Sequence, residues 1–210
     1  QDGKALQAGT SHYLGTNFSE AMGIEFTDES GESRFAHTTS WGSTTRLVGA
    51  LVMTHGDDNG LRVPPRVAGH QVVIVPITRD DPEQVLEEAR SLAEELGGQQ
   101  AFGMPIRALV DEHDRKPADK RWEYIRKGAP IVVELGGRDI EGGVVTLTMR
   151  NDPELEREQV PRDRFVSELA ETLEQMQRQY LADARKFLEE RTTTEVTDVE
   201  GFREFFSGDD

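Results

Sequence analysis

The sequence predicts an α/β protein in two parts: antiparallel strands that deliver a helix, then a mixed sheet flanked by helices and closed by one long helix. Three observations predict it. Residues 36–56 pass from an extended, Thr-rich segment to apolar residues at Leu47, Leu51 and Val52, the spacing of a strand running into a helix. From Val72 onward, short apolar runs alternate with amphipathic stretches, as in chains that lay strands and helices down in turn. Phe165, Leu169, Leu173, Met176, Tyr180, Ala184 and Phe187 then recur every three or four residues, the stripe of a long amphipathic helix from Val160 to Glu190.

At 210 residues and 35% hydrophobic content the chain can build one large core or two small ones. The pattern divides it into residues 1–68, 69–158 and 159–210. The 40 acidic residues outnumber the 24 basic ones, for a net charge of −16. That balance excludes loose, sequence-blind binding to nucleic acid, which depends on clustered Lys and Arg, so any RNA contact must be local. No apolar run approaches the ~20 residues of a membrane span, and no charged-then-apolar leader opens the chain. With no cysteine there is neither a disulfide framework nor a thiolate zinc site, and no metal site is expected. The opening on Gln1 rather than Met reads as a piece of a longer protein.

In chain order, LQAGTSHYL is extended. Thr10 and His12 then share one face and Ser11 takes the other, so Ser11 and His12 make a poor nucleophile and base while Thr10 and His12 line a common pocket. Gly15 to Met22 is a short helix; Ile24 to Asp28 and Arg34 to Trp41 are strands joined by the polar turn ESGE. The chain turns at Trp41-Gly42-Ser43 into the first long helix, which Thr44 or Thr45 caps and Gly56 ends. Arg46 stands out because a cation in the first turn opposes the helix dipole, unless an anion is shared between the free amides and the guanidinium. His55-Gly56-Asp57-Asp58 has too few ligands for a hard cation or zinc and reads as helix end and turn. Leu61 to Gln71, with Pro64 and Pro65, is a stiff crossing.

VVIVPI is a strand buried on both faces, followed by a helix from Pro82 to Leu96 capped by Asp81. Met104 to Asp111 is a strand, Ala118 to Lys127 a helix, Pro130 to Leu135 a strand and Val144 to Met149 its return. The order gives a mixed sheet flanked by helices. GGRDIEGG lacks the GK[ST] ending of a phosphate loop and reads as a tight turn. Val196 to Phe206 adds a short acidic helix.

Several of these stretches, in order, resemble one family. TSWGSTTRLVGALVMTHGDDNGLRVPPRVA, followed by QVVIVPI, is similar to the third signature motif and domain junction of prolyl-tRNA synthetases, which are class II aminoacyl-tRNA synthetases. LQAGTSHYLGTNFSEAMGIEF resembles the segment before that motif, and VVELGGRDIEGG resembles the anticodon-binding domain. The resemblance runs from Gln7 to about Phe206. It implies part of the class II antiparallel sheet with its motif 3 helix, then the mixed α/β anticodon-binding domain and a C-terminal helix. It further implies a parent enzyme, cytoplasmic and homodimeric, that uses ATP and Mg²⁺ to make prolyl-adenylate from L-proline and passes the prolyl group to tRNA(Pro). By that resemblance Arg46 contacts the ATP as the catalytic residue, with Gln7, Thr10 and Thr45 around the nucleotide. Thr10, His12 and Trp41 border the proline. Arg115, Lys120 and Glu123 meet the anticodon, the two cations donating to guanine edges and the carboxylate accepting from a base amino group. There are departures: Val132 and Val133 stand where an arginine is common, and Gly137 replaces a proline. The first two class II motifs have no counterpart, so the chain alone is not expected to aminoacylate. The alternative is a non-catalytic tRNA-binding or interaction module built from the same pieces; a third reading is an unrelated nucleotide-binding α/β protein.

Overall fold

The computed structural model describes residues 5–79 and 81–207. Two compact units meet between Met53 and Thr54.

In the first unit β1 (Thr10–Gly15) pairs antiparallel with β4 (Thr38–Gly42), and β2 (Glu25–Thr27) pairs with β3 (Ser33–Phe35) around the expected polar turn. The segment expected as one strand from Arg34 to Trp41 is thus two strands serving different ladders. Helix α1 (Asn17–Met22) ends on Gly23 at φ 64°, and α2 (Arg46–His55) follows β4. Two-stranded ladders enclose no core of their own. Tyr13, Phe18, Met22 and Trp41 are exposed accordingly.

The second unit is built on a five-stranded sheet in the order β11-β10-β9-β5-β8. Its strands are β5 (Val72–Ile77), β8 (Ala108–Val110), β9 (Ile131–Gly136), β10 (Val144–Met149) and β11 (Arg157–Pro161); β6 (Gln100–Ala101) and β7 (Met104–Pro105) form a separate small hairpin. β5 runs parallel to β8 and β9, and the pairs β9–β10 and β10–β11 are antiparallel. Parallel neighbours require crossovers, which α3 (Pro82–Gly97) and α4 (Pro117–Arg126) supply. Because side chains alternate, Val72, Ile74, Ile131, Val133, Val145 and Leu147 face α3 and α6 (Arg162–Glu189), while Val73, Val75 and Val132 pack with Ile125 of α4. Asp81 caps α3 as expected, its carboxylate accepting from the Gln84 N–H at 3.2 Å.

The structure corrects three further expectations. GGRDIEGG is not a simple turn: Gly137–Gly142 forms α5, whose first turn is closed by Asp139 accepting from the Gly136 N–H at 2.9 Å. The strand expected from Met104 to Asp111 is split into β7 and β8. The long helix starts at Arg162, because Val160 belongs to β11, an edge strand with one buried side chain. α7 (Val199–Ser207) closes the described chain.

The chain after α2 is clamped rather than free. Arg150, 1% exposed at the end of β10, donates to the Leu61 carbonyl at 2.8 Å, to the Ile125 and Gly60 carbonyls at 3.2 Å, and to both oxygens of Asp57, one of them at 2.9 Å. Burial pushes the Asp57 carboxyl up, but the hydrogen bonds and charge of Arg150 outweigh it and hold the group below the usual carboxylate range. The Leu61 and Val63 N–H groups reach the Arg126 and Gly128 carbonyls. That approach requires glycine: Gly60 sits at φ 116°, and a Cβ there would lie 2.6 Å from the Arg126 oxygen. Arg150→Met should therefore cost about 3–5 kcal/mol, since it leaves the Asp57 carboxylate without its cation and the Leu61 carbonyl without its donor; urea unfolding of the two proteins measures it.

Candidate functional site

Polar side chains gather in two clusters, one in each unit. In the first, β1 carries Thr10 and His12 on one face, as alternation requires. Thr10 Oγ1 accepts from Gln7 Nε2 at 2.8 Å, which leaves Gln7 Oε1 to accept from Arg46 Nη1 at 3.2 Å. A strand threonine thus orients an amide, and the amide orients a guanidinium 39 residues away in sequence. Among the described residues no carboxylate pairs with Arg46. The helix start is held by Thr44, whose hydroxyl accepts from the Arg46 N–H at 3.3 Å, while Thr45 offers its carbonyl to the Val48 N–H at 3.0 Å. The ladder does not bring Trp41 to this group: Trp41 lies opposite Ser11, and cross-strand partners share a face, so it sits on the face away from Thr10 and His12.

The second cluster lies where β8 leads into α4. The Asp111 N–H donates to the Ile74 carbonyl at 2.9 Å, fixing the residue at the C-terminal end of a parallel pair, the usual position of binding groups in α/β sheets. Its side chain is fully buried. One carboxylate oxygen accepts from the His113 N–H at 3.0 Å and meets His113 Nδ1 at 2.7 Å; the other accepts from Arg115 Nη2 at 3.3 Å. Lys120 Nζ lies 3.8 Å from the carboxylate and donates to the Asp111 carbonyl at 2.8 Å. Burial pushes the Asp111 carboxyl up; the hydrogen bonds from His113 and the charge of Lys120 overcome this and hold it low.

Lys120, expected at a base edge, is therefore turned inward and only 4% exposed. Arg115 and Glu123 are brought together and paired with each other. Glu123 also accepts from Lys127 at 2.5 Å, and the two cations bring its pKa down to about 2. Asp119, Trp122, Glu123 and Arg126 share the outer face of α4 at three- and four-residue spacing, and with Arg115 they line an open depression of about 320 Å³. Asp111 and Trp122 escaped the sequence reading. The available signal for Asp111 was its place: an acidic residue directly ending the apolar strand ALV.

The second unit is an open mixed sheet with polar side chains and an exposed aromatic beside a strand's C-terminal end, and residues 71–172 match the Anticodon binding domain family. Over its whole length the chain is similar to proline–tRNA ligases. It is 49% identical to that of Sphingomonas elodea, with 99% of this chain and 42% of the relative covered. The identity is 47% to the ligase of Sphingopyxis alaskensis, covering 100% and 41%, and 46% to that of Rhodopirellula baltica, covering 99% and 40%. The chain thus resembles the C-terminal part of prolyl-tRNA synthetases and spans about two-fifths of the length of these relatives.

The Asp111 cluster has a pH signature. A carboxyl held lower in the folded than in the unfolded chain lends stability above the unfolded pKa, near 4, and loses it as the pH falls through the folded value. Thermal unfolding between pH 5 and 2 should show this loss, and Asp111→Asn should flatten that limb while lowering stability at neutral pH.

Proposed function

We propose that this chain supplies the motif 3 helix and the anticodon-reading domain of a cytoplasmic, homodimeric prolyl-tRNA synthetase. The observation that carries the reading is the relay from Thr10 through Gln7 to Arg46. It holds, at the start of α2, a guanidinium that has no carboxylate partner among the described residues. Arg46 gives one N–H to Gln7 and retains the rest of its planar fork for phosphate oxygens of ATP. In the proposed reaction the proline carboxylate attacks the α-phosphorus and pyrophosphate leaves, giving prolyl-adenylate. A hydroxyl at the 3′ end of the tRNA then takes the prolyl group and AMP departs. Such chemistry needs alignment and charge stabilisation more than proton transfer, which suits a site of Arg, Gln and Thr. Thr10 and His12, on one face of β1, border the proline, and Thr45 stands beside the nucleotide. The described residues hold no group of three or more His, Asp or Glu side chains arranged for a metal, so no step is assigned to Mg²⁺ on residues of this chain. Among the described residues no helix is long and apolar enough to cross a membrane.

Arg115 and Glu123 are the proposed anticodon contacts, and Lys120 acts behind them by neutralising Asp111. The second unit also supports the narrower reading of a tRNA-binding module without catalysis, because it has a core of its own.

In the complete parent enzyme, Arg46→Ala should lower proline-dependent ATP–pyrophosphate exchange by about 10²–10³-fold; an unchanged rate would remove Arg46 from the chemistry. The 210-residue chain should bind tRNA(Pro) more tightly than other tRNAs in a filter-binding assay. Equal affinity for all would remove the anticodon assignment.

A further inference from the structure

The turn that Arg150 clamps contains a dipeptide with chemistry of its own. Asn59-Gly60 is the one place in the chain where an asparagine precedes a glycine. In such a pair the glycine nitrogen, unshielded by any side chain, can attack the asparagine Cγ. The N–Cγ bond forms, the bond from Cγ to the side-chain nitrogen breaks, and ammonia leaves. Water then opens the cyclic imide at either carbonyl, giving aspartate or an isoaspartyl link with an added carbon in the main chain. The other asparagines, Asn17 and Asn151, precede Phe18 and Asp152, whose side chains crowd the attacking nitrogen. The fold cannot relieve the reactive pair at its second residue, because Gly60 sits at φ 116° and a Cβ there would lie 2.6 Å from the Arg126 oxygen.

The folded turn withholds the nucleophile. The Gly60 N–H donates to the Asp57 carbonyl at 3.0 Å and the Asp57 N–H to the Gly60 carbonyl at 2.9 Å, while the Asp57 carboxylate accepts from the Asn59 N–H at 2.9 Å. Arg150 locks this pair, donating to the Gly60 carbonyl at 3.2 Å and to both oxygens of Asp57. The next N–H, that of Leu61, is tied to the Arg126 carbonyl at 2.9 Å. Ring closure needs the Gly60 nitrogen to give up its proton and its peptide plane to turn toward the Asn59 side chain, and each of these bonds opposes that rotation. We propose that Asn59-Gly60 is a deamidation site gated by the Arg150 clamp. Closed, the clamp protects the pair; each local opening releases it. The isoaspartyl product, with its longer main chain, cannot restore the Asp57–Gly60 pairing and so holds the turn open. The modification is one-way, and it depends on the clamp alone rather than on the function assigned to the chain.

The test is incubation of the full 210-residue chain at pH 8.5, where base takes the amide proton and water is in excess, followed by peptide mass mapping of the segment around Asn59. Deamidation there should run at least about tenfold slower in the folded chain than in the same chain unfolded in guanidinium chloride, since only the open fraction reacts. Arg150→Met, held below its own unfolding temperature, should speed the reaction at least about tenfold. Asp57→Ala, which loosens the same turn without touching the sheet or its core, should do likewise and decides the matter if the Arg150 variant does not fold. Asn59→Ser should abolish the mass change. The modified chain, separated by the negative charge it gains, should melt at a lower temperature than the unmodified one. Equal rates in the folded and unfolded wild-type chain would overturn the gate. So would a folded variant of Arg150 or Asp57 that reacts as slowly as the wild type. A modified chain that melts with the unmodified one would overturn the one-way trap.

Discussion

The second unit depends on a guanidinium that has no access to water. At 1% exposure, Arg150 must find every partner inside the protein, and it does so among groups outside the five-stranded sheet: the Gly60 and Leu61 carbonyls, the Ile125 carbonyl near the end of α4, and the carboxylate of Asp57. These groups lie on two segments that backbone hydrogen bonds from Leu61 and Val63 to the Arg126 and Gly128 carbonyls also join. The charge thus fixes the chain after α2 and the C-terminal end of α4 against the end of β10. The cost is specificity of shape, since the backbones meet so closely at Gly60 and Gly128 that a side chain has no room.

The opposite end of α4 is fixed by the same device with the signs reversed. There the buried group is a carboxylate, Asp111, and its partners are a lysine from the first turn of α4 and an arginine and histidine from the loop before it. Held at both ends, α4 cannot roll or slide without exposing an unpaired charge. Its outward face, Asp119, Trp122, Glu123 and Arg126, is therefore presented with little conformational freedom. Preorganisation of this kind lowers the entropy lost when a flexible ligand docks.

Much of this architecture was legible in the sequence because it follows from periodicity. Runs such as VVIVPI and IVVEL announce strands buried on both faces, and the stripe of α6 is readable as far as Tyr180; Phe187, in the same register, is exposed. What escaped was whatever depends on partners distant in the chain. β11 was invisible because an edge strand with only Val160 buried has no alternation to read. α5 was read as a turn because glycines flank it, although Asp139 supplies the cap. Lys120 looked like a surface cation because nothing local says that its ammonium meets a carbonyl nine residues back. The family resemblance named Arg46 and Gln7; their hydrogen bond, across 39 residues, needed coordinates.

The proposed RNA reading requires so acidic a chain to limit its own repulsion, and the arrangement meets that requirement. Near the α4 surface several carboxylates are paired with cations of the same chain: Glu112 with Arg90, Glu123 with Arg115 and Lys127, Asp111 with Lys120 and Arg115. Pairing removes much of the local repulsion without creating a basic patch. Such a surface attracts a polyanion weakly, releases few counterions and owes its affinity to directed hydrogen bonds and stacking. Discrimination then falls to geometry, because a ligand that cannot satisfy the fixed donors and acceptors gains little from general attraction. On an acidic protein, holding the polar groups rigidly is the physical substitute for positive charge.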